Sequence, residues 1–230
     1  VYAWRCLVAL TRFNQEQPRH VIIALDGAPG VGKSTIAAGV AGAAVIPEVN
    51  RLFARPDPEP PWWYCERQVA RWEMAKRAAA QGRRVLLDGD CYQPLWFSWI
   101  YQDDGWPLDA MAFRFFRDKI TQGHMGFPDL YIFAHCPEAL RRERMIAREL
   151  SRGHTQDRAL RKTDRYARMV APQRRFFAAL AERFPGWVLD LETVSLEPCL
   201  AVIRNATAAH IPVDATEAFD FIERWLKNPK

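Results

Sequence analysis

The sequence predicts a three-layer α/β fold, a parallel sheet covered by helices on both faces, for a chain of 230 residues. Three observations lead there. Short apolar, partly β-branched runs recur along the chain, helical patterns separate them, and each run is almost continuously apolar instead of alternating. Strands separated by helices pair in parallel. A strand buried on both faces shows no polar side.

Taken in order, residues 21–26 form the first run, ending in glycine, and the alanine-rich residues 34–43 predict a helix. Runs at 44–49, 85–88, 130–136 and 187–191 predict further strands. Helices are predicted over 65–81, 109–121, 137–152, 164–183 and 196–208. Four prolines within 55–61 predict an extended loop leading into Trp62, Trp63 and Tyr64. Residues 151–163 are polar, basic and glycine-containing, and predict a mobile flap between two helices or a solvated turn. Phe219, Ile222 and Leu226 stand at helical spacing and predict a docked terminal helix over 216–226. Residues 1–19 are expected to be an N-terminal extension to one domain covering 20–230.

Composition sets the class. Hydrophobic residues make up 49% and aromatic residues 12%, which excludes a disordered or low-complexity chain. The net charge is +5, and with only six lysines among 32 cations the basic residues are overwhelmingly arginine, whose planar fork suits phosphate. Five scattered cysteines without a Cys-x-x-Cys pair suggest neither disulfides nor zinc, so no structural metal and a reducing cytoplasm are expected. No apolar run reaches the length of a membrane span, and Arg5 and Arg12 interrupt the N-terminal stretch, so neither a membrane nor a signal peptide is expected. No basic stripe with interleaved aromatics supports a nucleic-acid groove. A monomer or homodimer is expected.

The chemistry begins at residues 27–34, Gly-Ala-Pro-Gly-Val-Gly-Lys-Ser, which match G-x-x-x-x-G-K-[ST], with Thr35 following. A buried strand holds such a loop, Gly27, Gly30 and Gly32 let the main chain curl, and the amides of Val31 and its neighbours turn toward an anion. Lys33 bridges the outer phosphates, and the Ser34 hydroxyl suits Mg²⁺. A nucleotide is the expected ligand.

On these residues the chain resembles the P-loop kinases that act on nucleosides, nucleoside monophosphates and other small molecules. The resemblance is specific over 21–43 and continues as an order of elements to about residue 170. It implies a P-loop NTPase fold with a five-stranded sheet, a helical lid, ATP with Mg²⁺, and transfer of the terminal phosphoryl group to a small-molecule hydroxyl.

Two carboxylates end the third run, Asp88 and Asp90, where open α/β sheets gather ligands. This resembles a Walker B strand, in which Asp88 reaches Mg²⁺ through water and Asp90 reaches the acceptor hydroxyl as base. Glu48, after the second run, competes for that role, and in many kinases of this group a carboxylate there is the base or an acceptor clamp. No arginine flanks Asp90, unlike deoxynucleoside and thymidylate kinases. The helix over 65–81 resembles the one that offers a glutamine to the acceptor ring, which makes Gln68, with Arg71 on a neighbouring turn, an acceptor-site candidate; an exposed helix glutamine is the plainer reading. The preceding Trp63 suits stacking on a flat acceptor and equally packing in the core. Residues 130–138 resemble the fourth strand of the same kinases. Arg144 and Arg148 keep the R-x-x-x-R spacing of the next helix, and with Arg141 and Arg152 they form one stripe running into the lid. Arg144, Arg148 and Arg152 are thus candidates to meet charge on the transferred group.

Three functions are compatible with these residues. The first is a kinase acting on a hydroxyl of a nucleoside-like molecule or an antibiotic. A nucleoside monophosphate kinase would need further arginines, for which Arg51, Arg67 and Arg71 are available. A non-catalytic switch of GTPase type would need Asn-Lys-x-Asp, and residues 161–164 lack the asparagine.

Overall fold

A computed structural model describes residues 21–105, 109–206 and 213–228; the extension expected at 1–19 lies outside them. Five strands form one parallel sheet: β1 (Ile22–Asp26), β2 (Ala44–Ile46), β3 (Val85–Asp88), β4 (Leu130–His135) and β5 (Val188–Glu192), in the order β2-β3-β1-β4-β5. All five residues of β1, its central strand, are buried.

Alternation along each strand feeds two cores. Ala24, Leu87, Tyr131 and Phe133 join α3 (Trp63–Ala80), α4 (Gln93–Ile100), α5 (Ala110–Thr121), α8 (Val170–Arg183) and α10 (Ala215–Lys227). Ile23, Leu25, Leu86 and Ile132 join α1 (Lys33–Gly39) and α9 (Leu196–Asn205). Helices therefore cover both faces, and the three-layer expectation holds. Two more helices, α6 (Glu138–Ser151) and α7 (Gln156–Ala167), pack together beyond the strand ends, while the short α2 (Val49–Leu52) follows β2.

Several boundaries differ from expectation. The second strand stops at Ile46, because Pro47 interrupts the run and Val49 opens α2. The first helix ends at Gly39, which lies against Leu200. The helix expected over 164–183 is two helices, α7 and α8, and most of the expected flap is α7 itself, opened by a Thr155 side chain that accepts from the Arg158 amide. The sequence patterns missed α4, an apolar helix without a polar face. The terminal helix spans Ala215–Lys227, close to expectation.

Candidate active site

The site lies at the carboxyl ends of β1 and β3, whose register sets Leu25 beside Asp88. Gly27 has φ 136°, and a Cβ there would lie 2.1 Å from the Ala134 carbonyl oxygen, so only glycine lets the loop leave β1 against β4. Gly30 is equally constrained, because its Cβ would meet Met145 of α6 at 2.6 Å. The loop is thus wedged between β4 and α6. Lys33 Nζ donates to the Gly27 carbonyl at 2.6 Å, which draws the ammonium back across the loop.

Ser34 Oγ donates to Asp88 Oδ2 at 2.6 Å. Asp88 is 2% exposed, and its buried Oδ1 has no hydrogen-bond partner among the described residues. A hydroxyl beside a carboxylate with a spare oxygen is a donor set that can hold a hard cation such as Mg²⁺.

Two cavities meet here. A cleft of about 1090 Å³ runs along residues 29–36, and its wall also includes the cations Arg51, Arg144, Arg148, Arg152 and Lys162 together with Thr193, Ser195 and Leu196. A second chamber of about 30 Å³ is lined by Asp26, Gly27, Lys33, Glu48, Gln93, Trp96 and Met169 among others. Pro29, Lys33 and Glu48 line both. Lys33 and Glu48 thus stand where the two spaces adjoin.

Asp90 is placed differently. It is 3% exposed, lines neither cavity, and its Oδ1 accepts from the Tyr131 hydroxyl at 3.0 Å. Burial pushes its carboxyl up to about 6 despite hydrogen bonds from the Tyr92 amide and Tyr131. Asp26, which the motif did not single out, lies beside it. Its Oδ1 accepts from the Gly27 amide at 2.5 Å and from Gln173 at 3.0 Å, and its Oδ2 accepts from the Asp90 amide at 3.1 Å. Burial, then the charge of Asp90, push Asp26 up to about 7, although Lys33 and the Gly27 amide act the other way.

The acceptor-site candidates on α3 divide from the cavities. Gln68 is wholly buried, not exposed, and accepts from Arg71 at 2.6 Å. Arg71, also buried, donates to the carbonyls of Pro47, Asp88 and Gly89. The pair braces the main chain on either side of the site, and neither side chain lines a cavity, nor does Trp63. Gln93, at the start of α4, lines the small chamber instead and accepts from the Tyr64 hydroxyl at 3.2 Å. Its sequence signal was Pro94, a residue favoured in the first turn of a helix.

The arginine stripe also separates. Arg141 is 1% exposed and fixes the loop through the Pro29 carbonyl while pairing with Glu138. Arg144 donates to Val31, Thr193 and Val194 carbonyls, which holds its guanidinium beside Thr193. Arg148 and Arg152 line the cleft from the far part of α6, and Lys162 joins them from α7. Thr35 completes the loop wall. Residues 161–164 lie inside α7, where Lys162 pairs with Glu149 and Asp164 with Arg142.

No protein-family model matches the chain, and no curated protein matches it. Among solved structures it is similar to deoxyadenosine kinase from M. mycoides. The form with products dCMP and a flexible dCDP has a TM-score of 0.49 at 16% identity, with 80% of this chain and 96% of that chain covered. The dATP-bound form also has a TM-score of 0.49 at 16% identity, covering 80% and 97%. The dCTP-bound form has a TM-score of 0.47 at 17% identity, again covering 80% and 97%. Among the described residues no helix is long and apolar enough to cross a membrane.

Proposed function

We propose that the chain is an ATP-dependent phosphotransferase that moves the terminal phosphoryl group onto a hydroxyl of an uncharged, nucleoside-like small molecule. The observation that carries this reading is the shared wall. Lys33 and Glu48 line one cleft of about 1090 Å³, a space large enough for a nucleotide and a small acceptor together.

In this reading the triphosphate lies along residues 29–35, where the loop amides and Lys33 receive it. Mg²⁺, held beside Ser34 and Asp88, would supply charge neutralisation at the outer phosphates. The acceptor hydroxyl is brought to Glu48 on the cleft wall, since the adjoining chamber of about 30 Å³ has room for a water molecule and not for the acceptor. Its hydroxyl oxygen bonds to the terminal phosphorus, the bond from that phosphorus to the ADP oxygen breaks, and Glu48 takes the hydroxyl proton. Arg148 and Arg152 meet charge on the transferred group, while Arg144 shapes the cleft wall near Thr193. The proton-taking role goes to Glu48, since the Asp90 carboxylate is turned into the protein.

A phosphorylated acceptor would need several cations to receive its own phosphate. Of the three arginines available for that, Arg71 is spent on main-chain carbonyls, Arg67 lies 5.3 Å from the Phe53 ring, and only Arg51 lines the large cleft. This favours a neutral hydroxyl over a nucleoside monophosphate. A switch of GTPase type finds no support, because residues 161–164 sit in a helix with their charges paired.

Incubation with ATP, Mg²⁺ and a panel of nucleosides, sugars and antibiotics should yield a phosphorylated product, and Lys33→Ala should abolish it. Acceptor-independent hydrolysis with no transfer to any panel member would contradict the reading.

A further inference from the structure

The carboxylate of Glu149, on the buried face of α6, has zero exposure and belongs to neither cavity wall. Four cationic or potentially cationic side chains converge on it. Lys162 and His154 approach Oε2 at 2.8 Å each, and Arg152 and Arg148 approach Oε1 at 3.3 and 3.6 Å. They come from α6, from the turn after it, and from α7. A buried carboxylate requires such partners, because leaving it unpaired is strongly unfavourable.

One negative charge cannot neutralise this group. Arg148, Arg152 and Lys162 all line the large cleft, so the excess positive charge faces that space. Among the described residues lining the cleft there are six cations, Lys33, Arg51, Arg144, Arg148, Arg152 and Lys162, against one carboxylate, Glu48. Lys162 is the member that needs a positioner most. Its stem is flexible, its side chain is 32% exposed, and α7 has no motif that aims it at the phosphate loop.

We propose that Glu149 is a positioning residue that fixes Lys162 of α7 on the wall of the cleft, where Lys162 becomes a ligand of the outer phosphates. The inference rests on the nucleotide reading of the cleft. The carboxylate is the pivot between α6 and α7. It lets two helices separated by a turn present cations to one anion, and a triphosphate completes the neutralisation that Glu149 begins.

Calorimetry with ATP and with AMP, on wild type, Lys162→Met, Glu149→Gln and the double variant, tests this. Each single variant should weaken ATP binding about tenfold, as for loss of one charge-assisted contact, and leave AMP binding unchanged. The double variant should lose clearly less ATP affinity than the two single losses combined, because Glu149 acts in large part through Lys162. A purely structural Glu149 would weaken ATP and AMP together, or add its loss to that of Lys162→Met, and either result overturns the proposal. Should Glu149→Gln fail to fold, Lys162→Met decides: unchanged ATP affinity overturns it, and a loss confined to ATP supports it. Absence of ATP binding by the wild-type protein would overturn the nucleotide reading itself, a result distinct from normal wild-type binding with indifferent variants.

Discussion

Gly27 meets the sheet where a side chain has no room, since its Cβ would sit 2.1 Å from a backbone oxygen. Backbone cannot yield as a flexible side chain does, so Gly27→Ala should displace the loop and remove ATP binding by calorimetry, while circular dichroism shows the helices retained. Its neighbour Asp26 makes a different prediction. Its folded pKa of about 7 lies above the ordinary 3.8, so the folded state holds the proton more tightly than the unfolded chain. The stability this provides is fully present below about pH 4 and is lost as the pH rises toward 7. Urea denaturation from pH 4.5 to 8 should therefore show stability falling with pH, and Asp26→Asn should flatten that slope; an unchanged slope would contradict the placement of the proton. Glu48 and Asp90 separate by rate. Glu48→Gln should lower turnover at least about a hundredfold, as for loss of a general base, while Asp90→Asn stays within about tenfold of wild type in steady-state kinetics. The reverse ranking would return the base to Asp90. The letters around Asp88 and Asp90 could not make this distinction, because it depends on Tyr131 of β4, 41 residues away, reaching over to occupy Asp90.

Elements differ in how far their neighbours can be read from the chain. The phosphate loop and its helix are one continuous segment whose geometry is local, so Gly27 to Ser34 announce themselves. The helix α4 does not, because residues 93–100 include two tryptophans, Phe97, Leu95 and Ile100 and give no periodic polar face. The helix α7 is strongly polar and reads as a solvated flap, and its contacts with α6 include Lys162 on the buried Glu149, Asp164 on Arg142 and the Thr163 carbonyl on Arg141. On α3, Gln68 and Arg71 stand at the spacing expected of an acceptor site, but burial converts them into a brace for the Pro47, Asp88 and Gly89 carbonyls. A lysine offers no planar fork and cannot serve these acceptors together. Arg71→Lys should therefore lower turnover about tenfold while ATP affinity remains near wild type, measured by steady-state kinetics beside calorimetry.

The molecule as a whole follows from its five apolar runs. With strand order β2-β3-β1-β4-β5, the ends of β1 and β3 meet on one edge, and the phosphate loop, Asp88 and Glu48 gather there although they are far apart in the chain. The sequence patterns revealed that edge and its loop. They could not reveal the small chamber, whose wall joins Asp26, Gln93, Trp96 and Met169 from three separate segments. The terminal helix α10 closes the thicker side of the sheet: Phe219, Ile222 and Leu226 are at most 2% exposed, and their burial is worth about 2 kcal/mol each. That sum rivals the whole stability of an ordinary domain, so a chain ending before Ala215 should lose its cooperative thermal transition. The most direct measurement is a crystal structure with a non-hydrolysable ATP analogue and Mg²⁺. The outer phosphates should lie within hydrogen-bond reach of Lys33, with the terminal phosphorus facing Glu48. A nucleotide bound elsewhere, with Lys33 still on the Gly27 carbonyl, would contradict the phosphotransfer reading.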